Sequence, residues 1–208
     1  MIHRITWLLL RGLFMLLFRY RVEGAEHVPA TGPVILASNH TSMLDPPVVA
    51  VGVWRRTVVM AKEELFRNAL FAWYIRRLGA FPVKRGAGDR GALKHAFGAL
   101  AAGESLLIFP EGTRSPDGEL QPPEMGIGMI AYRSGAPVVP VYVDNTHHAL
   151  PRSGGIRMVP VRVAYGAPLR FQTPEGKRPD RDDYQAAAQE VMARITELRD
   201  RVRAEKGA

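Results

Sequence analysis

Along most of the chain, short runs of β-branched and aliphatic residues alternate with longer stretches whose apolar positions recur every three to four residues. The runs predict strands at 34–37, 57–61, 80–83, 105–109, 138–143 and 158–164. The stretches predict helices at about 46–53, 64–78, 89–102, 127–134 and 181–204. The apolar run that ends in "FPEGTRS" looks like a buried strand. The alternation therefore predicts an α/β fold: a single domain with a largely parallel central sheet flanked by helices. In such a sheet functional residues gather at the carboxyl ends of the strands.

Before the first of these strands lies "ITWLLLRGLFMLLFR", residues 5–19, broken only by Thr6, Arg11 and Gly12. It is too short and too charged for a span of about 20 apolar residues, and no small-residue cleavage site follows it. Two readings fit: a helix lying in a membrane interface, or one packed on the domain's own core. The heptad spacing of Arg4 and Arg11 puts them on one helix face, with Trp7, Leu10, Phe14 and Leu17 mostly elsewhere, and favours the interface. This divides the chain into an amphipathic membrane-interface helix at 1–21 and a domain at 22–208.

Composition narrows the chemistry. The 208 residues suffice for one domain with a full core. A hydrophobic fraction of 47% fits a globular chain. The absence of cysteine excludes disulfides, thiolate nucleophiles and cysteine-bound zinc. The net charge of +8 is uneven: residues 1–21 carry +4, residues 22–53 carry −3, residues 54–94 carry +7, and the remainder is neutral. Two basic blocks point to one anionic surface and one anionic site rather than to a nucleic-acid-coating face.

Two polar clusters follow predicted strands. In "SNHTSMLDPP", His40 and Asp45 are five residues apart across a turn, so imidazole and carboxylate can meet if "TSML" folds back. A carboxylate-oriented histidine is a general base suited to neutral pH, able to take the proton of an alcohol attacking a carbonyl. An Asp before two prolines also reads as a helix N-cap, and His40 also reads as a loop residue satisfied by backbone groups. In "FPEGTRS", Glu111, Gly112, Thr113 and Arg114 describe an anion cradle or, more simply, a polar turn. Lys84 and Arg85, in "LGAFPVKRG", add cationic donors past another strand.

Taken together, "NHTSMLDP", "GAFPVKR", "FPEGTRS" and "VVPV", in this order, resemble the four sequence blocks of the glycerolipid acyltransferases, which include the 1-acylglycerol-3-phosphate acyltransferases. The resemblance covers residues 34–143. It implies transfer of a fatty acyl group from acyl-CoA or acyl carrier protein to the free hydroxyl of a lysophospholipid. The expected acceptor is 1-acylglycerol 3-phosphate, giving phosphatidic acid. By matching positions, His40 is the general base and Asp45 its orienting partner. Glu111, Gly112, Thr113 and Arg114 bind the acceptor, with Arg85 and Arg114 near its phosphate. A thioester is already activated, so a base-assisted alcohol needs no enzyme nucleophile, metal or cofactor.

Where many family members have a lysine beside the glycine after the third block, this chain reads Glu124, Met125, Gly126, and Lys62 is the substitute cation. That departure keeps a second acceptor open, such as a lyso-ornithine lipid. The implied partners are anionic membrane lipids and the acyl donor, with no nucleic acid, at the cytoplasmic face of the cell membrane. A hydrolase using the same His–Asp pair on water is the nearest competitor. "GIGMIA" at 126–131 matches a dinucleotide fingerprint, but the three prolines of the preceding "SPDGELQPPEM" exclude the strand which that fingerprint requires. The sequence sets no oligomeric state.

Overall fold

The computed structural model describes residues 2–83, 90–173 and 177–207, with the side chains of Ile2, His3, Lys62 and Lys206 outside the description. A seven-stranded sheet has β1 (Arg21–Glu23), β2 (Val34–Ser38), β3 (Thr57–Lys62), β4 (Ala80–Val83), β5 (Ser105–Ile108), β6 (Val138–Asp144) and β7 (Arg162–Tyr165) in the order β1-β7-β6-β2-β5-β3-β4. Strands β6, β2, β5, β3 and β4 run parallel, whereas β7 pairs antiparallel with β6 and carries β1 beside it. The expected largely parallel sheet is present, with two reversed strands at one edge.

The period-2 alternation of strand side chains builds a separate core on each face. Ile35, Ala37, Leu106 and Ile108 face α4 (Arg90–Ala101), α5 (Gly126–Ser134) and α7 (Arg181–Gly207). Val34, Leu36, Leu107, Val139 and Val141 face α1 (Ile2–Phe18) and α2 (Asp45–Ala50). The central strands are buried on both sides, which explains why they read as unbroken apolar runs.

Helix α1 packs on the domain's own core along one face and leaves apolar side chains exposed on the other. Its inner face buries Phe14 and Phe18. Trp7 Nε1 donates to the Val53 carbonyl at 2.8 Å, and Arg11 donates to that of Val51 at 3.0 Å. The outer face leaves Leu8, Leu9 and Leu16 59%, 69% and 80% exposed. Arg11, expected to share with Arg4 the face turned to the membrane interface, is anchored inward instead: its guanidinium lies over the Trp7 ring, 4.9 Å from the centroid, and donates to the Val51 carbonyl. Sevenfold spacing alone did not reveal that the carbonyls of the loop after α2 lie within reach of this side of the helix.

Four other elements differ from expectation. The predicted helix at 64–78 is a 3-10 turn at Glu63–Phe66 followed by α3 (Ala69–Arg77), because the Asn68 side chain accepts from the Phe71 N–H at 2.9 Å and starts a new helix. The strand predicted at 158–164 begins only at Arg162, past Pro160, which has no N–H to give a ladder. β1 and α6 (Thr146–Ala149) are too short to carry a periodic signal. The glycine pattern at 126–131 has a packing reason: a Cβ on Gly128 would stand 2.0 Å from the Tyr184 carbonyl oxygen of α7.

Candidate functional site

Three adjacent parallel strands, β6, β2 and β5, end side by side, and the residues just beyond them form the site. Asn39, one residue past β2, donates to the Val143 carbonyl at 3.0 Å and accepts the Val143 N–H at 2.7 Å. This pair of hydrogen bonds ties the end of β2 to the end of β6 and sets where His40 emerges.

The turn from His40 to Asp45 folds back as the spacing suggested. His40 Nδ1 lies 2.8 Å from Asp45 Oδ2, and the same oxygen accepts the backbone N–H groups of Thr41 at 2.6 Å and Ser42 at 2.7 Å. The second oxygen, Oδ1, accepts the Thr146 hydroxyl. Asp45 is fully buried. The N-cap alternative is thereby corrected: Asp45 opens α2, yet its acceptor sites are taken by the preceding turn and by Thr146, and the helix has no side-chain cap. A buried carboxylate requires such donors, because it has left water for a low-dielectric interior.

The imidazole is held from two further directions. The Phe109 ring stacks on it with centroids 3.9 Å apart and planes 18° from parallel. The backbone of His40 is bracketed by the 109–115 loop: its N–H donates to Glu111 Oε1 at 3.0 Å, and its carbonyl accepts the Ser115 N–H at 2.7 Å. With Nδ1–H given to Asp45, the neutral ring presents a lone pair at Nε2. That is the arrangement of an oriented base.

Glu111, which the family resemblance put among the acceptor-binding residues, stands behind His40 with its carboxylate turned onto the His40 N–H. It is 4% exposed, and its pKa is raised to about 7. Burial is the main cause, reinforced by the charge of Asp45 and opposed by the N–H groups of His40 and Gln121. The exposed part of the loop is Gly112 and Thr113, with Arg114 half-buried. Gly112 turns at φ +67°, and a Cβ there would stand 2.5 Å from Glu124 Oε1, so glycine satisfies both the conformation and the close approach.

Arg114 has no ion-pair partner among the described residues, while Arg152 donates to the backbone carbonyls of Arg114 at 2.7 Å and Ser115 at 3.2 Å. Of the other expected cations, Lys62 closes β3 with its side chain outside the description, and Lys84 and Arg85 lie outside the described residues. Sequence reasoning missed Asn39, Phe109, Ser115, Thr146 and Arg152. Asn39, Phe109 and Ser115 lie inside the quoted motifs and were open to notice; Thr146 and Arg152 become neighbours only through the fold.

Known proteins resemble this chain over much of its length. The chain is 29% identical to the 1-acyl-sn-glycerol-3-phosphate acyltransferase of Bacillus subtilis over 88% of this chain and 89% of the relative. It is also 29% identical to a chloroplastic 1-acyl-sn-glycerol-3-phosphate acyltransferase of Brassica napus, over 72% of this chain. It spans only 46% of that plant relative's length. Among solved structures, the 1-acyl-sn-glycerophosphate acyltransferase of Thermotoga maritima superposes with a TM-score of 0.76 at 30% identity, over 94% of this chain and 79% of that one. The family model described as Acyltransferase matches residues 19–144, a span that contains His40, Asp45 and the whole 109–115 loop, and the chain belongs to the Acyltransferase family.

Proposed function

We propose that the protein is an O-acyltransferase that moves a fatty acyl group from acyl-CoA or acyl carrier protein to the free hydroxyl of 1-acylglycerol 3-phosphate, forming phosphatidic acid. The observation that carries this reading is the His40 Nδ1 contact to a buried Asp45 carboxylate, with the ring stacked on Phe109 and its backbone fixed from both sides. The named relatives supply the acceptor class.

In the proposed step His40 Nε2 takes the proton of the acceptor hydroxyl as its oxygen attacks the thioester carbonyl. The tetrahedral intermediate then collapses, the C–S bond breaks, and the departing thiolate receives that proton from the imidazolium. Asp45 supports the imidazolium while it exists. Positioning of alcohol against thioester supplies much of the remaining barrier reduction, because the donor is already activated. Arg114, with no internal ion-pair partner, is suited to the acceptor phosphate, and a planar guanidinium binds phosphate through paired N–H groups.

The acceptor and product are bilayer lipids, so the site must work at an interface. No helix among the described residues is long and apolar enough to cross a membrane. We place the outer face of α1, with Leu8, Leu9, Leu13 and Leu16 exposed and Arg4 and Arg19 beside them, on the cytoplasmic surface of the membrane as a monotopic or peripheral contact.

The test offers labelled acyl-CoA or acyl carrier protein together with 1-acylglycerol 3-phosphate, a lyso-ornithine lipid or no acceptor, and identifies products by mass. Labelled phosphatidic acid is the expected product. Free fatty acid in the presence of acceptor would replace transfer by hydrolysis, and product only from the lyso-ornithine lipid would change the head group.

A further inference from the structure

Thr146 opens α6, two positions beyond the span matched by the family model. Its side chain is fully buried and its hydroxyl donates to Asp45 Oδ1, the oxygen that does not hold His40. A hydroxyl has one proton to give. With that proton on Asp45, the 3.0 Å contact between Thr41 Oγ1 and Thr146 Oγ1 has Thr41 as donor, which orders the chain Thr41 to Thr146 to Asp45.

The other three donors to Asp45 come from its own turn and converge on Oδ2. A carboxylate gripped at one oxygen can still rotate about the bond that joins it to Cβ. Thr146 grips the other oxygen from the start of α6, just past β6. Asn145, in the left-handed region at φ +65°, turns the chain inward after β6 and is itself held by its side-chain donation to the Pro160 carbonyl at 2.9 Å. The Asn39–Val143 pair sets the spacing of β6 from β2.

We propose that Thr146 is a positioning residue for acyl transfer: it fixes the plane of the Asp45 carboxylate so that Oδ2 stays on His40 Nδ1 and Nε2 remains the basic nitrogen. This rests on the reading of His40 as the base. Asp45 is bound on both oxygens, and among the described residues only the Thr146 bond ties it to the segment that follows β6. That bond orients the group that in turn orients the base, a role whose loss costs about ten- to a hundredfold where the histidine serves a metal.

The test compares Thr146→Val, which keeps the shape and removes the donor, with Thr146→Ser, which keeps the donor. Rates are measured with acyl-CoA and 1-acylglycerol 3-phosphate in mixed micelles. Thr146→Val is expected to lower kcat about ten- to a hundredfold with both KM values little changed, and Thr146→Ser to stay close to wild type. The Nδ1 proton of His40, followed by NMR, is expected to shift or broaden in the Val variant and to return in the Ser variant. A folded Thr146→Val enzyme with wild-type kcat overturns the proposal, and so does a Ser variant as slow as Val. If Val does not fold, Thr146→Cys, with a weak donor of similar size, decides by the same kcat and KM comparison. A parallel His40→Ala assay separates the two claims. Retained activity there overturns the base itself, whereas its loss beside a wild-type-like Thr146→Val overturns only the role of Thr146.

Discussion

Asp45 Oδ2 lies 2.8 Å from His40 Nδ1 although both residues sit in one turn of chain, because the N–H groups of Thr41 and Ser42 close on the same oxygen and fold that turn around it. The turn is thus organised by the carboxylate, and catalysis and local folding depend on the same group.

Asp45→Asn separates the two. The amide oxygen can still accept the turn's N–H groups, but it no longer supports an imidazolium. We expect kcat to fall by about 10²–10⁴, with a stability loss on the order of 1–3 kcal/mol for the altered buried network. Steady-state kinetics beside denaturant unfolding checks this; wild-type turnover in a folded variant would return Asp45 to a purely structural role.

Glu111 gives the fold a pH dependence. Its pKa is about 7 in the folded protein against an ordinary 4.5, so the folded state holds the proton more tightly. The corresponding stability is complete below about pH 4.5 and is lost as pH rises towards 7, by about 1.4 kcal/mol for each unit by which the two pKa values differ. Glu111→Gln keeps an acceptor for the His40 N–H and removes the titration. The stability difference between variant and wild type should therefore move in the variant's favour from pH 5 to pH 8; a constant difference would show that Glu111 titrates normally.

Arg114 and Arg152 should respond differently although they are neighbours. Arg114→Ala should reduce kcat/KM for the lysolipid by about 1.5–3 kcal/mol, as expected for a charged hydrogen bond, with the donor's KM little altered. Arg152→Ala, which removes a clamp on the loop backbone, should affect both substrates through kcat. A loss confined to the donor's KM in Arg114→Ala would move that arginine to the acyl donor.

The two faces of α1 should part cleanly. Leu9→Ser with Leu16→Ser changes exposed side chains, so thermal stability should hold while sedimentation with anionic vesicles weakens, since each buried side chain of this size contributes about 1.5–3 kcal/mol. Phe14→Ala should instead destabilise the fold by about 3–5 kcal/mol. Undiminished vesicle binding of the double Ser variant would place membrane contact elsewhere, with the exposed Leu70, Phe71 and Trp73 of α3 the next surface to test.

Gly128 should tolerate no side chain. Gly128→Ala places a Cβ against the Tyr184 backbone, and because backbone cannot rotate away, α5 and α7 must separate. A loss of about 1–3 kcal/mol is expected in chemical denaturation, whereas Gly126→Ala, with open space around it, should be close to neutral.

Local pattern was enough for much of this protein. Unbroken apolar runs fixed the buried strands, strand-to-helix alternation fixed the parallel sheet, and the five-residue spacing of His40 and Asp45 already allowed their contact, since a turn of that length is a local matter. Contacts across the sheet were a different kind of fact. Nothing in "DNTHH" signals that Thr146 reaches Asp45, 101 residues earlier in the chain, because the meeting exists only once β6 lies beside β2. The same holds for Glu111, whose charge suggested a ligand until β5, packed beside β2, turned it onto the His40 N–H. Arg11 looked like a head-group contact until the carbonyls after α2 claimed it. Sequence periodicity reports which face of an element is apolar; which polar groups are left without water, and must therefore find one another, is decided only when the elements pack.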